Sequence, residues 1–134
     1  MLQKATLSLQ ELVEPGGVCF CCGNANPKGL HIRSYPDPDG IHVVSTMRPE
    51  AWHNGWPGLV YGGYMAMLAD CHCNWTAKYG PYKAGGREPG SLPHISCVTP
   101  NLSLAYKRPT PPGVPLTLRA LVEGAVGRKP RSPC

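Results

Sequence analysis

No stretch of this sequence is both apolar and long enough to form the core of a signal peptide or to cross a bilayer. The opening MLQKATLSLQELVEPGG is interrupted by polar residues throughout. A cytoplasmic setting without membrane attachment is therefore expected, and the 7 cysteines, an odd number, are expected mostly as reduced thiols. Basic runs interleaved with aromatic residues are missing too, which argues against nucleic acid as a partner despite a net charge of +5. Lys and Arg are spread along the chain, with a modest cluster at Arg128, Lys129 and Arg131. Such a balance serves solubility, or attracts an anionic substrate such as a nucleotide-bearing thioester. There is no internal repeat or low-complexity tract, and 134 residues suffice for one domain with one core.

What the chain does have is an abundance of turn formers, 16 glycines and 16 prolines, around one long, largely apolar segment. That segment, GLVYGGYMAMLADCHCNWTAKYG, predicts a central helix over residues 62–79, with Gly80 and Pro81 as its stop. Met65, Leu68, Ala69, His72, Cys73 and Thr76 recur at helical spacing. Two of its features are chemical. Gly62 and Gly63 leave the first backbone N–H groups unshielded at the positive end of the helix, where an oxygen gaining negative charge is stabilised. Asp70 is a lone acid in a run otherwise free of charge from 62 to 77, and a carboxylate there must be solvated, paired or used.

Spacing constrains how the two can act together. Asp70 lies eight residues beyond Gly62, about 12 Å along a helix axis, whereas catalytic contacts are near 3 Å. One helix cannot offer both groups to one carbonyl. Two copies side by side can, and a twofold dimer supplies them most simply.

The rest of the chain reads as an α+β domain in which a curled sheet wraps that helix. Residues 7–13, with Ser8 as N-cap and Glu11 three residues later, predict a short peripheral helix. Strands are expected over 29–34 and 41–48, joined by the turn Pro36-Asp37-Pro38-Asp39-Gly40, then over 95–107 and 114–125. Residues 49–58 read as a loop that carries Trp52, His53, Asn54 and Trp56 up to the helix. Cys19 and Cys22 have CxxC spacing, but structural zinc takes four ligands and no second pair repeats it. The segment also runs into Gly23, Asn24 and Pro27 rather than opening a helix as a redox motif would. No metal is expected.

Three motifs resemble one family. CFCCGNANPKGLHI is similar to the C-F-x-C-G-x-x-N-P-x-G-L opening of hotdog-fold thioesterases of the PaaI-like and 4-hydroxybenzoyl-CoA type. GLVYGGYMAMLAD resembles their G-x-V-H-G-G-x-x-x-x-L-x-D helix entrance, and NLSLAYKRPTPPGVPLTLRALV their paired strands around Y-x-R-P. The resemblance implies a single hotdog domain over 1–134, with 1–17 peripheral and 128–134 an irregular tail in place of the family's last strands. It also implies a homodimer or dimer of dimers (a homotetramer) that hydrolyses an acyl-CoA without a cofactor. By the same resemblance Asp70 acts as base or nucleophile, and the Gly62 amide polarises the thioester carbonyl across the dimer interface. Asn74, one turn after Asp70, is placed to orient the water or the acid, and Gly63 to permit close packing. Tyr61 replaces the family's usual histidine, Asn54 is the nearest counterpart of its loop polar residue, and both are expected with Gly63 among the substrate-binding residues. Net charge and strand-end position nominate Lys107 and Arg108 for the nucleotide, with Arg87 on equal footing. Two other readings stand beside this one: a non-catalytic hotdog protein that binds acyl thioesters, and a small cysteine-ligated metal protein.

Overall fold

The computed structural model describes residues 6–124. Its elements run α1 (Leu9–Val13), β1 (Tyr35–Pro36), β2 (Val43–Met47), β3 (Asn54–Trp56), β4 (Leu59–Val60), α2 (Gly62–Ala84) and β5 (Leu116–Ala120). One long helix packs against an antiparallel sheet of order β1-β2-β5, the α+β arrangement expected of a hotdog fold. Strand alternation builds the interface. Val43 and Ser45 of β2 are buried, and their ladder partners are Ala120 and Leu118, in a strand that exposes Thr117 and Arg119. From the helix come Tyr64, Leu68, His72, Trp75 and Thr76, about one turn apart, which face the core. Leu68 is wholly buried, worth roughly 1.5–3 kcal/mol relative to exposure.

The turn expected at 36–40 forms as read. Asp37 donates its N–H to the His42 carbonyl at 2.8 Å, and Asp39 accepts the N–H groups of Ile41 (2.8 Å) and His42 (2.9 Å). Those bonds, with the His42 ring, hold the Asp39 carboxyl well below the usual carboxylate range. Arg119 of β5 reaches over to Asp39 at 2.7 Å, fastening strand to turn. In α1, Ser8 and Glu11 make the reciprocal capping box. This helix is less peripheral than its position suggests, since Leu9 and Val13 belong to the core.

Other expectations are corrected. The helix does not stop at Gly80-Pro81 but continues to Ala84 with Pro81 inside it. Proline in a helix interior costs about 3 kcal/mol through a lost hydrogen bond and a clash. Burial of Tyr82, fully enclosed and covered by Arg87 at 4.9 Å, offsets that cost, and the helix ends at Gly85 and Gly86, the latter with φ of +61°. Residues 29–34 do not form a strand, because His31 adopts φ of +54° and breaks the extended run. Leu30 and Ile32 instead donate to the carbonyls of Phe20 and Cys21. The long strand over 95–107 is absent, since no described strand lies alongside to supply a ladder. Inside the loop before α2 there is a small hairpin, β3 and β4, that the sequence did not announce. The expected tail at 128–134 lies outside the described residues.

Candidate active site

The helix entrance is assembled from the hairpin and the segment after the helix. Tyr61 is the N-cap of α2, and its side chain makes no capping hydrogen bond, so the positive end of the helix is left to other groups. Its backbone N–H goes to the His53 carbonyl at 2.8 Å, which locks the hairpin to the helix start. Tyr106 donates its hydroxyl to the Gly62 carbonyl at 2.8 Å. Gly62 and Tyr106 then line a cleft of about 240 Å³ together with Lys107 and Arg108. The expected cations and the expected amide thus share one cleft. Gly63 packs closely: a Cβ there would fall 2.5 Å from the Tyr61 ring. Asn54 sits in β3 opposite Val60 and is exposed, near the entrance but not in that cleft.

Asp70 opens elsewhere, onto a second cleft of about 380 Å³ whose lining includes Asn74, Lys78 and Thr99. Its Oδ1 is buried and has no hydrogen-bond partner. Among the described residues nothing hydrogen-bonds this oxygen, which leaves an acceptor for something that enters the cleft. Asn74 faces the same space, but its amide nitrogen is engaged by the Cys97 carbonyl at 3.2 Å and Thr99 Oγ1 at 3.4 Å. It holds the 97–99 segment against the helix. Neither Gly62 nor either cation lines the Asp70 cleft.

On the opposite face of the helix, His72 is buried and bonded at both ring nitrogens. Nε2 lies 3.0 Å from the Val43 carbonyl, which can only accept, so Nδ1 accepts from Ser34 Oγ at 2.9 Å. Ser34 in turn accepts from Gln10 Nε2 at 3.1 Å. The chain of donors is complete with a neutral imidazole, and burial pushes its pKa down. This histidine is a structural clamp between α1, β2 and α2.

The aromatic residues divide by role. Tyr64 and Trp75 are core, whereas Trp52 and Trp56 are about three-quarters exposed. Sequence reasoning missed Tyr106 at the helix entrance, although its place in the Y-x-R-P motif was the available signal. Cys71, weighed with His72, Cys73 and Cys97 as a partner of the CxxC pair and set aside for its spacing, is the one that the helix delivers to Cys19 and Cys22.

A thioesterase superfamily protein from Shewanella loihica PV-4 has a similar structure, with a TM-score of 0.57 and 30% identity over 76% of this chain and 77% of that one. The chain belongs to the thioesterase superfamily. A second thioesterase superfamily protein matches with a TM-score of 0.59 and 26% identity, over 93% of this chain but 57% of its own length. No family model and no curated protein matches the sequence. Among the described residues no helix is long and apolar enough to cross a membrane.

Proposed function

We propose that this protein hydrolyses an acyl-CoA thioester to the free acid and CoA in a site shared between two copies of the chain. The observation that carries the reading is the Asp70 carboxylate, its Oδ1 buried and without a partner at the edge of an open cleft. Asp70 takes a proton from water as the water attacks the carbonyl, or attacks the carbonyl itself. The Gly62 amide and the positive end of α2 hold the oxyanion, and Lys107 and Arg108 beside it attract the phosphates of CoA. About 12 Å of helix separates Gly62 from Asp70, and they line different clefts, so the amide is assigned to the partner copy. Membership of the superfamily supports thioester chemistry, and the acyl group is left to assay.

Asp70→Ala is the direct test. Hydrolysis of a panel of acyl-CoAs by the folded variant is expected to fall at least about 100-fold, the low end for general-base catalysis. Undiminished turnover would remove Asp70 from the mechanism. Binding of acyl-CoA by the wild type with no thiol release at all would instead favour a non-catalytic acyl-thioester carrier.

A further inference from the structure

The cysteine pair near the N-terminus gains a third member only in the folded chain. Gly23 donates its N–H to the Cys19 carbonyl at 2.8 Å, which closes one tight turn over Cys19-Phe20-Cys21-Cys22. The closure demands glycine: a Cβ at position 23 would stand 2.4 Å from the Cys19 nitrogen and 2.6 Å from the Gly17 oxygen. With the turn so drawn in, Cys19 and Cys22 meet Cys71 of α2, and the three Sγ atoms lie within 4.8 Å of one another. All three are free thiols. Cys21, between the pair, donates to the Met67 carbonyl and is not one of the three.

We infer that Cys19, Cys22 and Cys71 form a three-sulfur site for a thiophilic divalent cation, zinc in the first instance, that pins the N-terminal turn to the central helix. Three observations converge on this. The Sγ atoms of Cys19 and Cys71 are 3.7 Å apart, close to the roughly 3.8 Å edge of a tetrahedron whose Zn–S bonds are about 2.3 Å. Trp75 aims its indole N–H at the Cys22 sulfur at 3.2 Å, the geometry of an outer-shell hydrogen bond that orients a metal ligand. Finally, the three sulfurs line the 380 Å³ cleft, so a fourth coordination position faces space that water or a ligand can fill.

The charge around the sulfurs is mixed, since Asp70 and the Lys78–Glu14 ion pair line the same cleft. Binding a divalent ion releases the thiol protons to solvent and leaves a site with net charge of about −1. Lys78 lines the same cleft, with its ammonium 4.3 Å from the Trp75 ring and 3.1 Å from Glu14. A disulfide between Cys19 and Cys71 is the competing use of the same sulfurs, but it would leave Cys22 and its tryptophan donor without a role. The CxxC spacing alone lacked further ligands. Folding supplies one from a helix about fifty residues away, and the cleft leaves the last position to solvent. The cluster shares its cleft with Asp70, but a zinc titration reads the metal directly, so its outcome does not depend on whether Asp70 is catalytic.

The experiment uses the full chain, stripped of metal under reducing conditions and titrated with Zn²⁺ against a chromophoric chelator. One zinc per chain is expected, and one zinc per chain is also expected in protein purified without chelators. Cys19 is exposed, so Cys19→Ser should fold normally by circular dichroism while losing zinc affinity by more than the 10–100-fold typical of an outer-shell partner. Trp75→Phe should weaken binding about tenfold, the low end of that range. Cys97→Ser, outside the cluster, should bind as the wild type does. The inference is overturned if the folded wild type takes up no stoichiometric zinc, if Cys19→Ser binds equally tightly, or if freshly purified protein carries a Cys19–Cys71 disulfide in place of metal.

Discussion

Two glycines show how much a single missing Cβ can matter. At position 23 every close neighbour of an added methyl is backbone, between 2.4 and 2.7 Å away, so nothing can rotate clear. Gly23→Ala is expected to cost about 3 kcal/mol, the upper end for overpacking, in a urea titration. Position 63 looks equally crowded, yet the obstruction is the Tyr61 ring, which is 58% exposed and free to swing into solvent. Gly63→Ala should therefore change stability by less than about 1 kcal/mol, since helix propensity favours alanine by a similar amount. His72 gives the residue scale its pH dependence. Its pKa is lowered in the folded state, so below about 6.5 the unfolded chain binds the proton that the folded chain refuses, and stability is lost as pH falls. Denaturation midpoints measured across pH 5–8 should fall on the acid side, and His72→Gln should flatten that slope. Asp70 and Gly62 are conspicuous in the sequence because a lone acid and a glycine pair stand out in an apolar run. The meeting of Cys71 with Cys19 was hidden, because it depends on a turn in one region and a helix in another.

At the scale of elements, local signals succeeded where the chain's own bonding decides and failed where packing does. The Ser8–Glu11 box and the Pro-Asp-Pro-Asp-Gly turn close their hydrogen bonds within a few residues, and both form as read. The end of α2 is settled by Tyr82 entering the core, which overrides Pro81. Residues 95–107 alternate like a strand, but alternation supplies no partner, and without a ladder the backbone is held by side chains. Proline within the helix is thus tolerated rather than favoured. Pro81→Ala is expected to stabilise the protein by about 2 kcal/mol, the interior penalty less the entropy proline removes from the unfolded chain, as a raised thermal midpoint.

On the scale of the whole molecule, the separation of amide and acid allows a mixing test. Proline at the first helical position keeps the helix but deletes its N–H, and Tyr61 with φ of −60° and ψ of 131° already has the conformation that precedes proline. Gly62→Pro and Asp70→Ala should each be nearly inactive alone. When equal amounts are unfolded and refolded together, half the dimers are mixed and one of their two sites draws both intact groups, so about a quarter of wild-type activity returns. No recovery would place both groups in one chain.

The 95–107 segment has three anchors on α2. Tyr106 holds the first residue of the helix, Asn74 grips the Cys97 carbonyl at its middle, and Tyr82 receives the Ile95 N–H near its end. The rod is splinted from end to end. The distance between its leading amide and its acid is then a constant of the scaffold, and on the proposed function any tolerance for bulkier or slimmer acyl chains falls to the cleft side chains rather than to flexing of the helix.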